Sequence, residues 1–287
     1  MLPKFKLVLV SRWSFHNRPH SSTLICCLAR ASADGKVNGL ALTTGGTLLI
    51  TARHIVDPAW AYCSEPQPTM IYLRLNKKHY DPAKDESGID YAPIPLIVNG
   101  KNNYFVRADD DKVGAAVVDV AFSISQDKYD FIPMRLSVFA NPDEIKNLRI
   151  GDAVASAGLL PKKSGEQRNY PFFKFGQISN IPDEPVWISC EKNMPELRLE
   201  RVWFVAINEV SGASGSPIFY VPPDICLMGG FIHCTRGLDR VMIIGVQSSS
   251  FDGADVAGMT PIEDVFKIIE QTSPPNVDLY RGDETKR

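Results

Sequence analysis

Short apolar and alternating runs dominate the hydrophobic pattern of this chain. Runs of about 5–9 residues rich in Val, Ile, Phe and Thr, such as GTLLITA, MIYLRLN and VMIIGVQS, are separated by stretches that contain Gly and Pro. Strands of this length with turn residues between them are typical of β-sandwiches and β-barrels. The pattern therefore predicts an all-β fold, with either architecture open at this point.

Helical signals are confined to two places. Asn141 followed by Pro142 resembles a helix cap and a first helical residue, and it predicts a helix of one or two turns. Thr260, with Glu263 three residues later and an apolar stripe beyond, predicts an amphipathic helix over residues 260–271.

Charged stretches divide the chain further. They predict loops at 76–93, 107–112, 161–171 and 191–200. A segment around 134–150 separates two groups of about six predicted strands each. We therefore expect an N-terminal extension over 1–20, a first unit over 21–135, a second unit with the C-terminal helix over 136–272, and a flexible tail over 273–287.

Composition fits a folded chain with a substantial core. The 287 residues are 44% hydrophobic and 22% charged, and the net charge is −2. Nucleic-acid binding needs a basic surface that neutralises phosphates, and this charge balance argues against it. The apolar run near Met1 is shorter than a secretory signal needs, and no run has the length of a membrane helix. We therefore expect a cytoplasmic protein that does not associate with membranes.

The six cysteines permit three disulfides by number alone. In a long chain without a clear signal peptide, free thiols in a reducing compartment are the better expectation. The residues concerned are Cys26, Cys27, Cys63, Cys190, Cys226 and Cys234.

The segment SGASGSPIF contains the first candidate for chemistry. Gly212 and Gly215 surround Ser214 and allow backbone conformations that other residues resist. They also leave backbone N–H groups accessible, as an oxyanion site in acyl transfer requires. By itself, the segment is equally well explained as a Gly-Ser turn between strands.

A nucleophilic serine needs a base that takes its proton, and His54 is the candidate. It directly follows an apolar strand in GGTLLITARHIVD. A lone histidine after a strand is more often a structural residue, so the neighbouring motifs have to decide.

Three segments together resemble those of trypsin-like serine proteases. LLITARHIVD is similar to the family's TAxH segment, VVDVAFSI to the strand with its aspartate, and GASGSP to its nucleophile turn. The order His, Asp, Ser is also that of the family. The resemblance covers about residues 20–272 and is closest in character to bacterial high-temperature-requirement-like domains without a PDZ domain. It implies a chymotrypsin-like double barrel: two six-stranded antiparallel β-barrels and a C-terminal helix.

The resemblance also implies roles for single residues. His54 would be the general base, Asp119 would orient it, and Ser214 would be the nucleophile. The backbone N–H groups of Gly212 and Ser214 would form the oxyanion hole. Ser248 matches the serine that supports the family's buried aspartate. For Asp119, a cap of a local turn is the alternative role.

Other residues are expected to shape substrate binding. Asn208 lies six positions before the nucleophile, where trypsin has the carboxylate of its specificity pocket. We therefore expect cleavage after small or medium apolar side chains rather than after Arg or Lys. Ser248, Ser249 and Ser250 match the substrate-binding strand.

Asp57 lies three residues after His54 and is expected to face solvent rather than to orient the histidine.

Two classes of function follow from these residues. The first is a serine endopeptidase that acts on protein or peptide substrates through an acyl-enzyme, without a metal or another cofactor. The second is a catalytically silent pseudoprotease that keeps the fold as a protein-binding module. A thioester or ester hydrolase with the same residues is a weaker third possibility.

Overall fold

A computed structural model describes most of the central part of this chain. The described residues are 27–30, 47–60, 69–84, 87–120, 123–125, 127–131, 134, 136–158, 167–170, 172–189, 197–207, 213–222, 227–228, 231–232, 238, 240–251 and 255–272. Among these residues, no helix has the length and apolar character to cross a membrane.

The N-terminal half is built from short strands and two 3₁₀ turns. The strands are β1 (Cys27–Arg30), β2 (Thr47–Ala52), β3 (Met70–Asn76), β4 (Ile89–Pro95), β5 (Ile97–Val98), β6 (Lys101–Asn102), β7 (Tyr104–Phe105) and β8 (Ala115–Asp119). The 3₁₀ turns Arg53–Ile55 and Pro58–Trp60 follow β2 directly.

The C-terminal half contains longer strands and both α-helices. The strands are β9 (Ala153–Gly158), β10 (Phe172–Asn180), β11 (Val186–Ser189), β12 (Leu197–Glu200), β13 (Trp203–Ile207), β14 (Pro217–Tyr220), β15 (Leu227–Met228), β16 (Phe231–Ile232), β17 (Met242–Phe251) and β18 (Val256–Pro261). Helix α1 is Pro142–Lys146 and helix α2 is Ile262–Thr272, and a 3₁₀ turn, Leu136–Val138, precedes α1.

Six strands of the C-terminal half close into a barrel. Their order around it is β10-β13-β18-β17-β14-β9, and every neighbouring pair with a described register is antiparallel. Closure leaves no sheet edge unpaired, which removes the edge-strand problem of an open sheet. The all-β class, the six-stranded second barrel and the C-terminal helix are thereby confirmed.

The N-terminal half is arranged differently within the described residues. Strands β1-β2-β8-β7 form a four-stranded sheet, while β3–β4 and β5–β6 are separate hairpins. A closed first barrel is not seen in this part of the structure. The predicted loop over 76–93 is wrong at its end, because its last residues belong to β4 and pair with β3.

One hydrophobic core runs through both halves. Leu48 and Val117, from β2 and β8, belong to the same buried cluster as Ile218 of the barrel and Phe266 of helix α2. A second cluster is confined to the N-terminal half and includes Leu73 of β3. Because β2 and β8 have one face toward each cluster, they fix the N-terminal sheet against the barrel.

The two helices test the cap predictions. The Asn141 side chain accepts hydrogen bonds from Asp143 N and Glu144 N, and Pro142 is the first helical residue, as predicted. The C-terminal helix exists but begins at Ile262, since Thr260 still belongs to β18. The prediction of Thr260 as its cap is therefore wrong.

Candidate active site

The turn that contains Ser214 is held by backbone hydrogen bonds to the barrel. Gly215 has φ +88°, a conformation that favours glycine, and its N–H donates to the carbonyl of Gln247 over 2.8 Å. The N–H of Gln247 donates in turn to Ser216 over 2.9 Å. Ser216 closes the turn by donating its N–H and its hydroxyl to the carbonyl of Ala213. Ser214 stands, partly exposed, at the top of this turn.

His54 lies on the 3₁₀ turn that follows β2. Strand β2 ends at Ala52, and the next residue, Arg53, donates its backbone N–H to the carbonyl of Gly114 over 2.7 Å. This bond continues the β2–β8 ladder by one step and fixes the start of the turn. His54 is partly buried there.

The imidazole of His54 donates a hydrogen bond to the backbone carbonyl of Ser248. Ser248 lies where the register of β17 against β18 shifts, between Gln247 and Ser249. A bulge of this kind leaves one residue out of the ladder and turns its groups toward another partner. The shift therefore makes the Ser248 carbonyl available to the histidine.

Consecutive residues of β17 thus bind the two candidate catalytic segments. Gln247 holds the Ser214 turn through Gly215, and Ser248 accepts the imidazole N–H of His54. Adjacent residues on one strand are about 3.3 Å apart along it. The structure therefore attaches the segments of the predicted nucleophile and the predicted base at one point of β17, on adjacent residues.

Asp119 is not brought to this point. In the antiparallel β2–β8 pair, Asp119 lies opposite Leu48, while Ala115 lies opposite Ala52. The four-residue offset along β2 separates Asp119 from the His54 end by roughly 13 Å. The backbone of Asp119 is instead bound to Asn103 through both its N–H and its carbonyl. In this register Asp119 lies away from the His54 end of β2, and its role as the group that orients His54 stays a prediction.

Gly114 directly precedes β8 and lies beside the start of the His54 turn. A Cβ atom at this position would lie 2.9 Å from Ser248 Cβ and 3.1 Å from Thr260 Oγ1. The strand therefore packs directly on Ser248, and no side chain fits between them. The Ser248 hydroxyl, which the family resemblance directs at an aspartate, donates to the carbonyl of Gly258 over 3.4 Å.

A cluster of charged and aromatic side chains surrounds the His54 turn. Arg53 Nε donates to the Asp57 carboxylate over 2.7 Å, and both side chains are about one-tenth exposed. Arg53 and Arg198 stack on Trp60, with guanidinium carbons 4.6 Å and 4.2 Å from the ring centroid. Arg198 also donates to the carbonyl of Trp60 over 3.2 Å. The prediction that Asp57 faces solvent is therefore wrong.

This environment keeps His54 neutral. Burial, followed by the positive charge of Arg198, lowers the pKa of His54 from 6.5 to about 3, while the hydrogen bond to Ser248 acts in the opposite direction. A neutral imidazole has one nitrogen that donates and one that accepts. Because one nitrogen donates its N–H to the Ser248 carbonyl, the other nitrogen carries the lone pair that can accept a hydrogen bond from a hydroxyl group.

Glu200 is a second buried titratable group near Arg198. It is fully buried, and neither of its carboxyl oxygens has a hydrogen-bond partner within the described structure. Burial raises the pKa of Glu200 to about 7, and the nearby charge of Arg198 reduces that rise. Near neutral pH, a substantial fraction of this carboxyl is therefore protonated.

The remaining predicted residues are only partly covered by the structure. Ser249 is buried and faces Gly258 across the β17–β18 pair, and Ser250 continues β17. Asn208 of the predicted pocket and Gly212 of the predicted oxyanion hole lie outside the described residues. The same holds for Cys26, Cys63, Cys190, Cys226 and Cys234, and Cys27 is described only as part of β1.

Sequence reasoning missed three residues of the site. Gly114 could have been found from chain direction, because the residue after one antiparallel strand meets the start of its partner strand. Arg198 and Trp60 carried no such signal. They come from distant parts of the sequence and meet only through folding.

Comparison with known proteins adds little to this geometry. No protein-family model and no curated protein matches the sequence. Among solved structures, the protease domain of MamO from Magnetospirillum magneticum is 10% identical, covering 84% of this chain and 93% of that chain, with a TM-score of 0.42.

Two further solved structures are similar at the same low level. The inactive form of the Rv3671c protease is 13% identical, with 88% of this chain and 84% of that chain covered and a TM-score of 0.39. Tobacco etch virus protease complexed with product is 14% identical, with coverage of 84% and 72% and a TM-score of 0.37. These similarities are too distant to assign a fold or a function, and the architecture of this chain rests on its own strand pairing.

Proposed function

We propose that this chain is a serine endopeptidase with the double-barrel fold of the trypsin-like family. In this proposal the first barrel spans 21–135 and the second spans 136–272. Ser214 is the nucleophile, His54 is the general base, and the backbone carbonyl of Ser248 orients the base. Protein or peptide chains are the substrates, and the chemistry uses no metal or other cofactor.

The proposal depends chiefly on the attachment of both candidate segments to β17. The carbonyl of Gln247 accepts from Gly215, next to the nucleophile, and the carbonyl of Ser248 accepts from the base. A Gly-Ser turn or a structural histidine on its own would not need this shared support. The shift of register between Gln247 and Ser249 further supports a functional role, because bulges are common beside active sites.

The reaction follows from the neutral state of His54. The Ser214 hydroxyl oxygen attacks the carbonyl carbon of the scissile peptide bond while the accepting nitrogen of His54 takes its proton. The N–H groups of Gly212 and Ser214 would stabilise the oxyanion that forms. His54 then gives its proton to the leaving amine, which yields the acyl-enzyme. A water molecule, deprotonated by His54, releases the product acid and restores Ser214.

A carbonyl differs from a carboxylate as a partner of the histidine. It fixes the orientation and tautomer of the imidazole, but it lacks the full negative charge that stabilises an imidazolium. In the serine protease triad the carboxylate serves both purposes, so a carbonyl supplies only part of its effect. We therefore expect slow turnover, with acylation by an activated probe easier to detect than peptide hydrolysis.

The second candidate function is a binding module without catalysis. Two observations favour it. The residue before β8 that lies nearest to the His54 turn is Gly114, which has no side chain to orient the imidazole. In addition, the charge of Arg198 opposes protonation of His54. A pseudoprotease would keep the barrel and its peptide-binding surface while tolerating both features.

Labelling with a fluorophosphonate probe separates the two functions. A peptidase is expected to bind one equivalent of probe at Ser214, identified by peptide mapping. The Ser214→Ala variant should not be labelled, and circular dichroism should show that its fold is retained. Digestion of a peptide library, with ester and thioester substrates in parallel, then distinguishes a peptidase from another hydrolase. An unlabelled wild-type protein that is folded would refute the catalytic proposal.

A further inference from the structure

Four large aromatic side chains are exposed at the start of β10. The exposed fractions of Tyr170, Phe172, Phe173 and Phe175 are 65%, 44%, 47% and 72%. They lie within six consecutive residues and together form the aromatic segment. A single exposed aromatic residue needs no explanation, whereas a group of this size on a protein surface is often a binding site.

The strand registers place the aromatic segment at the same end of the barrel as the Ser214 turn. Ser156 of β9 lies opposite Ile218 of β14 on one side and opposite Lys174 of β10 on the other. Because neighbouring strands are about 4.8 Å apart, Ile218 and Lys174 are separated by about 10 Å. Both strands are antiparallel to β9, so they run in the same direction. Ser214 precedes Ile218 by four residues and Tyr170 precedes Lys174 by four residues, so both segments approach the same end.

The residue before the aromatic segment is bound to the N-terminal half. The side-chain amide of Asn169 donates to the carbonyl of Arg74 over 2.9 Å, and its backbone N–H donates to the side chain of Asn76 over 2.7 Å. Both partners belong to β3. Leu75 of this strand lies in the same buried cluster as Ile55, the neighbour of the candidate base. The aromatic segment therefore begins where the barrel meets the half of the molecule that carries the base.

The size of the aromatic segment favours a peptide as its occupant over a second copy of the chain. An aromatic side chain offers about 200 Å² in full, so the exposed parts of these four amount to roughly 450 Å². A stable interface between two proteins buries about 800 Å² on each partner. One or two side chains of an extended peptide need only about 150–250 Å² each.

On the basis of the proposed peptidase function, we infer that the aromatic segment selects substrates by binding an apolar side chain of the peptide close to the scissile bond. An extended peptide advances about 3.3 Å per residue, so the distance of about 10 Å across β9 corresponds to about three residues. Aromatic rings bind apolar and aromatic side chains because the contact removes both surfaces from water and allows the rings to stack.

The test compares paired peptides that differ by Phe or Gln at single positions around the cleavage site. For the wild type, kcat/KM is expected to be about 5- to 20-fold higher for the Phe peptide at one position within about three residues of the bond, as partial burial of a ring implies. Phe175→Ser and Phe173→Ser should each reduce this preference to about twofold or less, and Phe175→Tyr should keep it. Preferences at the other positions should not change in these variants.

Ile150→Ser is the matched control. Ile150 is 63% exposed and precedes Gly151, whose N–H donates to the carbonyl of Ile178. Ile178 follows Phe172 by six residues on β10, so the control lies about 20 Å away along the strand. It removes a comparable exposed side chain, but it should leave the Phe preference unchanged. No Phe preference within about three residues of the bond, or an equal preference in Phe175→Ser, would overturn the inference.

Binding measurements keep this test independent of catalysis. The Ser214→Ala protein is titrated with the same Phe and Gln peptides, with and without Phe175→Ser. A preference for the Phe peptide that requires Phe175 supports the inferred surface even if fluorophosphonate does not label Ser214. Labelling of Ser214 together with equal binding of both peptides would refute the surface and leave the peptidase proposal intact. Sedimentation tests the other occupant: a wild-type dimer that Phe175→Ser dissociates would assign the segment to a second copy and overturn the inference.

Discussion

The turn of Ser214 and the turn of His54 are held in place by different forces. The Ser214 turn is fixed by backbone hydrogen bonds to a strand of a closed barrel, through Gly215 and Gln247. The His54 turn has internal backbone bonds, one backbone bond to Gly114 and the imidazole bond to Ser248, and charged side chains pack around it. The candidate nucleophile therefore depends mainly on strand geometry, whereas the candidate base depends more on the charged side chains around it.

This difference indicates where the site tolerates change. Backbone hydrogen bonds survive most side-chain substitutions, because they do not involve the side chains that are replaced. A buried ion pair is much more sensitive, since removal of one partner leaves an uncompensated charge. Substitutions around His54 should therefore affect the protein more widely than equivalent substitutions around Ser214.

Removal of the base itself should have the largest effect. His54→Ala is expected to lower the rate of probe labelling at Ser214 by roughly 10⁴-fold or more, because the hydroxyl loses its proton acceptor. Labelling kinetics followed by intact-protein mass spectrometry measure this effect. The imidazole also contributes packing, so the thermal transition serves as the control. A variant that is folded and labelled at the wild-type rate would exclude His54 as the base.

Loss of the Arg53–Asp57 ion pair beside His54 should mainly affect stability. Asp57→Asn leaves the buried guanidinium of Arg53 without its carboxylate, and this should cost about 3–5 kcal/mol of unfolding free energy. Urea unfolding measures it. Asp143→Asn provides the comparison, since Asp143 and Lys146 are 91% and 73% exposed and their pair should contribute at most about 1 kcal/mol. Equal losses in the two variants would contradict the difference between the turns.

Close packing at the start of β8 can be tested with one methyl group. In Gly114→Ala the new Cβ would lie 2.9 Å from Ser248 Cβ, so Ser248 and the carbonyl that orients His54 must move. A displacement of about 1 Å in a catalytic group can cost about 10²-fold in rate. Probe labelling should slow by that order. An unchanged rate would show that the Ser248 carbonyl is dispensable for orientation.

The pH dependence of probe labelling tests whether His54 is neutral. With the pKa of His54 at about 3 instead of 6.5, labelling should change little between pH 7 and pH 5. The neutral fraction of an ordinary histidine would fall about 25-fold over the same range. Folding should follow the same difference: the unfolded chain binds a proton at His54 below pH 6.5 and the folded protein does not. The free energy of unfolding therefore falls on acidification, and it falls less steeply in a His54→Gln variant. A midpoint of probe labelling near pH 6.5 would contradict the low pKa of His54.

The smallest effect is expected at the far end of β8. Asp119→Asn should change kcat by less than about two- to threefold, because the register places Asp119 opposite Leu48, away from the base. Peptide hydrolysis or probe labelling at pH 7 measures the rate. A fall by several orders of magnitude would restore Asp119 to the site and disprove the described register.

The sequence predicted those features that depend on local pattern. Alternating apolar runs predicted the strands, and Asn141 with Pro142 predicted a cap that is present. The segments of His54 and Ser214 could be proposed from the sequence because each motif is contiguous in the chain. A closed six-stranded barrel was also expected from the number and spacing of the strands, and one is present.

Relations between distant segments could not be predicted in this way. An isolated carboxylate in an apolar strand made Asp119 a candidate, but alternation shows only the face of a strand and not its register, which here pairs Asp119 with Leu48. Asp57 was expected in water because its partner, Arg53, could not be identified from spacing alone. The charge of Arg198 at the site depends on a contact between β12 and Trp60, which are far apart in the sequence.

Trp60 offers a way to observe the site directly. Its indole lies between two guanidinium groups, 4.6 Å from that of Arg53 and 4.2 Å from that of Arg198. The fluorescence of an indole responds to the electric field of nearby charges. Any event that displaces Arg198 or neutralises its charge therefore changes the emission of Trp60. The protein carries its own optical reporter beside the candidate base, and no added dye is needed to follow occupancy of that position.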